Sequence, residues 1–286
     1  MTLGCGFISI LLISRLMNKD DSGAFFTVIT LLISLSLYSR IGYDKGLIPL
    51  ISNSKNVNIK TRNLVRTVIF CLYGNILAVA VLLFYQIDHF LIYLIMPFIT
   101  VNNIFVAYFK SVSKPNTSFL FDSSFVYCIL LIPLSIFLFL GINISLNQIF
   151  MIYISSVISQ NYILLYLVRK ERLNFKFDLH DLNISFYEYI KDVYKMRYFL
   201  FITVLANLSR LLPILFLSIF FMNNDISNFK VIEQIAMSGT IIITVVNSIY
   251  SIKYVENRLD LDKILTSVFH SSAISIIFSI IYFLII

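Results

Sequence analysis

Long apolar runs, separated from one another by only a few polar residues, constrain this chain more than any other feature. A run such as Phe125 to Leu140, FVYCILLIPLSIFLFL, has no polar stripe to turn toward water. It must be covered on every side, by a large core or by lipid. One such run fits inside a soluble protein. Here about nine follow one another within 286 residues, and a span needs roughly 20 residues, so no length remains for a soluble domain. Composition agrees: 59% of residues are hydrophobic and 13% charged, with a mean hydropathy of +0.89, where a soluble domain carries about 25% charge. The expectation is an all-α integral membrane protein. A soluble enzyme with a bilayer anchor is excluded. So is an outer-membrane barrel, whose strands alternate apolar and polar residues over segments of about ten.

The runs place spans at roughly 1–17, 23–40, 64–85, 89–109, 118–140, 147–168, 196–221, 228–250 and 265–286. The first lacks the basic start and small-residue cleavage site of a signal peptide, so it reads as a span whose beginning is missing. Residues 1–168 then form a six-helix bundle, 169–195 a connector, and 196–286 a partial second bundle of three helices. Within the connector, Ser185 and Glu188 have capping-box spacing, which predicts an interfacial helix from Phe186 with Tyr189, Ile190 and Val193 on its apolar face. Pro97 and Pro133 predict kinks. Trp is absent, and Tyr85, Tyr108, Tyr166, Tyr194 and Tyr250 are expected to form the interfacial aromatic belt.

Basic residues sort into alternate connections. Arg40, Lys45, Lys55, Lys60, Arg62, Arg66, Lys110, Lys114, the group from Arg169 to Arg197, and Lys253, Arg258 and Lys263 share one side. Arg15, Lys19 and Lys230 lie on the other, and Arg210 stands inside a span. Under the positive-inside rule the rich side is cytoplasmic, which puts the amino end inside. The net charge of +7 is thereby accounted for without nucleic acid. Cys5, Cys71 and Cys128 lie within apolar runs, where no disulfide framework is expected, and the three histidines form no metal cluster or catalytic dyad. No cofactor is implied.

The sequence echoes itself. Met17, Asn18, Asp20 and Ser22 match Met222, Asn223, Asp225 and Ser227 at a constant offset of 205, each group joining one span to the next. Both joined pairs would leave and re-enter the cytoplasm alike, so the halves would be parallel repeats about an axis along the membrane normal.

Arg15 to Phe26, RLMNKDDSGAFF, followed by Gly42 to Ser52, GYDKGLIPLIS, resembles the opening of lipid-linked oligosaccharide flippases of the Wzx type. These belong to the superfamily that includes multidrug and toxin extrusion transporters. Its members show an Arg, a polar turn with an acidic residue before Gly and an aromatic, then a Gly-containing segment ending the second helix. Ala206 to Phe216 and Asp225 to Ile235 resemble the opening of the second lobe. Two features depart from the family: twelve or fourteen helices are usual, against about nine here, and the Asp that often precedes the second-lobe Arg is Ser209. The resemblance implies two helical bundles in a bacterial inner membrane, alternating access to a cavity that binds a polyprenyl-diphosphate-linked oligosaccharide. An incomplete or inactive fragment is a further reading, since the second bundle has three spans and the chain ends on IIYFLII.

Arg210 is the most informative position. It lies 11 to 14 residues from either end of its span, hence near mid-depth at about 1.5 Å per residue. A guanidinium there costs about 3 kcal/mol by insertion scales and more than ~10 by simulation unless it meets protein, water or a counter-ion. Pro213 loosens the helix one turn on by removing the amide that would bond the Ser209 carbonyl. Two roles fit: holding an anionic diphosphate, with Asn207 beside it, or pairing with a buried acid. Arg15 either snorkels to the interface or lines the cavity, as the family's Arg implies. Asp122 fits both a counter-ion for Arg210 and a proton or sodium coupling site. Glu233 stands three residues from Lys230, a spacing for an ion pair, with coupling as the alternative. Asp44 and Lys45 are expected to neutralise each other, and Asn75, Asn102, Asn103, Asn207 and Asn247 to bond between helices.

A cation-coupled multidrug antiporter of the same fold competes with the flippase, but it calls for an acidic cavity where the deepest charge here is basic. An oligosaccharide polymerase calls for a large outer loop, and every outer connection here is short. Neither the flippase nor the antiporter would be an enzyme.

Overall fold

In the computed structural model, residues 2–40, 42–52, 56–84, 90–112, 114–121, 125–170, 194, 196–201, 204–205, 213–214 and 216–238 are described. All of the regular structure among them is helical, with no strand. In chain order these helices are α1 (Thr2–Leu16), α2 (Lys19–Ser39), α3 (Tyr43–Ser52), α4 (Val57–Phe84), α5 (Phe90–Ser111), α6 (Pro115–Leu120), α7 (Phe125–Leu140), α8 (Leu146–Lys170) and α9 (Asn223–Ser238). Among the described residues, α2 and α8 are long and apolar enough to cross a membrane; Gly4–Leu16 and α7 are shorter apolar helices. Pro97 and Pro133 stand inside α5 and α7, which continue through them.

α3 is an element that the sequence reading did not assign. Residues 43–52 lie between two expected spans. They form a helix of their own because Gly42, at φ +78, reverses the backbone after α2 and its carbonyl accepts the Lys45 and Gly46 amides. The expected span at 118–140 likewise comprises a short helix, α6, and then α7.

Two apolar clusters hold the bundle. One joins α1, α2, α5, α7 and α8 around Phe25, whose ring lies 5.4 Å from Phe150 and 5.9 Å from Tyr153. The other joins α3, α4, α5 and α8, with Tyr43 stacked on Phe70 at 5.6 Å. The second lies at the end of the bundle where Lys45, Arg62, Lys110, Arg169 and Arg197 gather, here called the basic end. Tyr108, expected in an interfacial belt, is buried in this cluster; Tyr166 and Tyr194 are exposed, as a belt requires.

At the far end lie the turns between α1 and α2 and between α7 and α8, together with the start of α9. Gly141, at φ +64, ends α7: its amide bonds the Leu138 carbonyl and the Ile142 amide the Phe137 carbonyl, a Schellman arrangement. Gln148 then caps α8 by accepting from the Ser145 amide at 2.9 Å. The Ile144 amide donates to the Leu16 carbonyl at 2.9 Å, tying this hairpin to the end of α1.

Candidate functional site

The far end of α2 brings together the two echoing segments. Ser22 and Ser227, which match at the offset of 205, face each other with their hydroxyl oxygens 2.6 Å apart, and both are buried. The neighbouring Gly23 lies directly against the Asn223 backbone: a Cβ at position 23 would collide with the Asn223 carbonyl. Only glycine permits this approach. α9 packs along α2 and also against α1, with Ile226 fully buried and Val231 against the larger cluster. Asp20 and Asp21 occupy the first turn of α2 and Asp225 that of α9. Each carboxylate sits where the helix dipole favours negative charge, which offsets the cost of bringing two helix starts together.

Arg15 lies in the last turn of α1 and is exposed, with no ion pair among the described residues. Glu233 lies on α9, where its Oε2 is 2.5 Å from Lys230 Nζ and both side chains are largely buried. The geometry supports the ion-pair reading of that spacing and leaves the carboxylate already engaged. Asn207, Arg210 and Asp122 lie outside the described residues, as do Asn247 and the connector helix expected from Phe186. Of the expected site residues Arg15 and Glu233 are thus described, and Glu233 lies on α9, the helix that packs against α2 and α1.

At the basic end the expected Asp44–Lys45 pair is replaced. Asp44 Oδ2 instead accepts from Arg40 Nη1 at 3.2 Å. Arg40 ends α2 and Asp44 opens α3, and the reversal at Gly42 between them brings the two side chains together. Arg40 is buried and also donates through Nε to the Ser36 carbonyl at 3.1 Å. One turn deeper, Thr100 on α5 forms a buried polar node that the sequence reading missed. Its hydroxyl is 3.0 Å from Asn75 Oδ1 on α4, 3.2 Å from Ser36 Oγ and 3.3 Å from Ser39 Oγ, both on α2. Asn75 therefore bonds between helices as expected, whereas Asn103 donates to Ile99 within its own helix at 2.7 Å.

The start of the chain's second part also meets this end. Gly42 leaves no room for a Cβ against the backbone of Phe199 and Leu200, and Gly46 is packed against the Met196 sulfur. Arg197 lies over the rings of Tyr194, at 4.0 Å, and Tyr198, at 4.9 Å. Compared with protein-family models, with curated proteins and with solved structures, the chain finds no match.

Proposed function

We propose that the chain is a multi-pass protein of a bacterial inner membrane, with its amino end in the cytoplasm and about nine spans. In this reading it moves polyprenyl-diphosphate-linked oligosaccharide outward by alternating access between two bundles. The contact between Ser22 and Ser227 carries the reading. Two segments alike in sequence meet at equivalent positions, as the halves of a transporter built from parallel repeats would. Large apolar side chains on the bundle surface add support for lipid around it: Phe139 is 91% exposed, Tyr162 75% and Ile132 66%.

The substrate class rests on Arg210. A permanently charged, forked donor at mid-depth suits a diphosphate, and Asn207 one turn before it would add a neutral donor for the same group. Export of lipid-linked glycan to the outer leaflet is expected to fall at least about tenfold in Arg210→Ala, equivalent to roughly 1.4 kcal/mol, and to survive in part in Arg210→Lys. Normal export by the alanine variant would overturn the diphosphate assignment. The antiporter alternative needs a free acid, and Glu233 is held by Lys230. Efflux of a cationic dye that disappears in Glu233→Gln would favour that alternative.

A further inference from the structure

We infer that Ser22 and Gly23 of α2, with Asn223 and Ser227 of α9, form the outer closure of the transport path, a seam that must part for cargo to leave. The inference rests on the two-bundle reading above and assigns the residues that close it. In a two-fold assembly a residue meets its own counterpart only on the axis. Ser22 and Ser227 are counterparts at the offset of 205 and touch, so the axis relating the two segments passes between them. A path between two halves related by an axis along the membrane normal contains that axis. Residues on it therefore obstruct the path at their own depth.

The make-up of the seam suits a contact that forms and breaks. Its centre is one hydroxyl pair and one glycine against a carbonyl, with the buried Ile226 beside them on α9. Gly23 sets how closely the helices shut. Any side chain there acts as a wedge against the Asn223 carbonyl.

The test uses the full chain in intact cells, with Cys5, Cys71 and Cys128 replaced by serine. Ser22→Cys and Ser227→Cys are combined, cross-linked by a mild oxidant and released by a reductant. The expected result is a cross-link in most molecules, with glycan export falling at least tenfold on oxidation and returning on reduction. A cross-link that leaves export unchanged, or a protein that exports yet does not cross-link, would overturn the seam. A second arm needs no export. Ser227→Cys alone should react slowly with a membrane-impermeant maleimide added outside, and several-fold faster when Gly23→Leu, or the milder Gly23→Ala, is added. Equal rates with and without the wedge would likewise overturn the seam. If the starting protein exports no glycan, the flippase reading fails, while the labelling arm still decides whether the seam opens.

Discussion

Thr100 has one hydroxyl proton, which it can donate to Asn75 Oδ1, Ser36 Oγ or its own Met96 carbonyl, and with the Ser39 hydroxyl beside it this side chain holds α2, α4 and α5 in register. Thr100→Val keeps the shape and removes the hydroxyl, leaving Ser36, Ser39 and Asn75 without it. The expected loss is about 1–3 kcal/mol, at the lower end if a water replaces the hydroxyl. Thr100→Ser should lose much less. Reversible unfolding in mixed detergent micelles would measure both; equal losses would show that packing of the methyl, and not the polar node, is what matters. The node was half legible in the sequence. Asn75 stood out as an amide within an apolar run, but Ser36, Ser39 and Thr100 did not. Hydroxyls bond their own helix backbone so readily that a single Ser or Thr in a span carries little information, and only the convergence of three helices makes these a cluster. Arg40 shows the same limit: its charge suggested a rim residue, yet its buried position is set by Asp44, which Gly42 turns back toward it.

At the scale of elements, α3 depends on a single backbone reversal. Gly42 adopts a left-handed conformation and sits against the Phe199–Leu200 backbone, so Gly42→Ala meets both a dihedral penalty of about 1–2 kcal/mol and a steric one. Its expected effect is a less stable protein in which the 43–52 segment becomes open to protease, while Gly141→Ala, with nothing near its Cβ, should show the dihedral cost alone. Limited proteolysis of both variants in membranes would separate the two terms. Among the described residues the positions of the long helices were legible because an apolar run of 16 to 28 residues leaves few alternatives to a helix. What escaped notice were short elements such as α3 and α6, whose 10 and 6 residues are too few to hold a helix alone and depend on tertiary contact and turn geometry.

For the whole molecule, the separation of basic residues makes a directional claim. With the native cysteines replaced by serine, an impermeant maleimide applied to intact cells should label Asn143→Cys, in the Gly141 to Ser145 turn, and should reach Arg169→Cys only after the membrane is opened. The opposite pattern would invert the orientation, and with it the side on which Ser22 and Ser227 meet. The echo at offset 205 was legible as a repeat, but that its two copies touch was not, because no rule of local sequence says which faces of two similar turns will pack. One further bond bears on how such a chain is made. The last carbonyls of α1 emerge early in synthesis, yet the donor to Leu16 is the amide of Ile144, and Ser9 of α1 donates to the Tyr127 carbonyl of α7 at 2.9 Å. Until the ribosome has delivered α7 and the turn after it, the first helix has an unmet carbonyl and a bare inner face. Assembly of this bundle is thereby postponed, and α1 waits for a partner that lies 118 residues further along the chain.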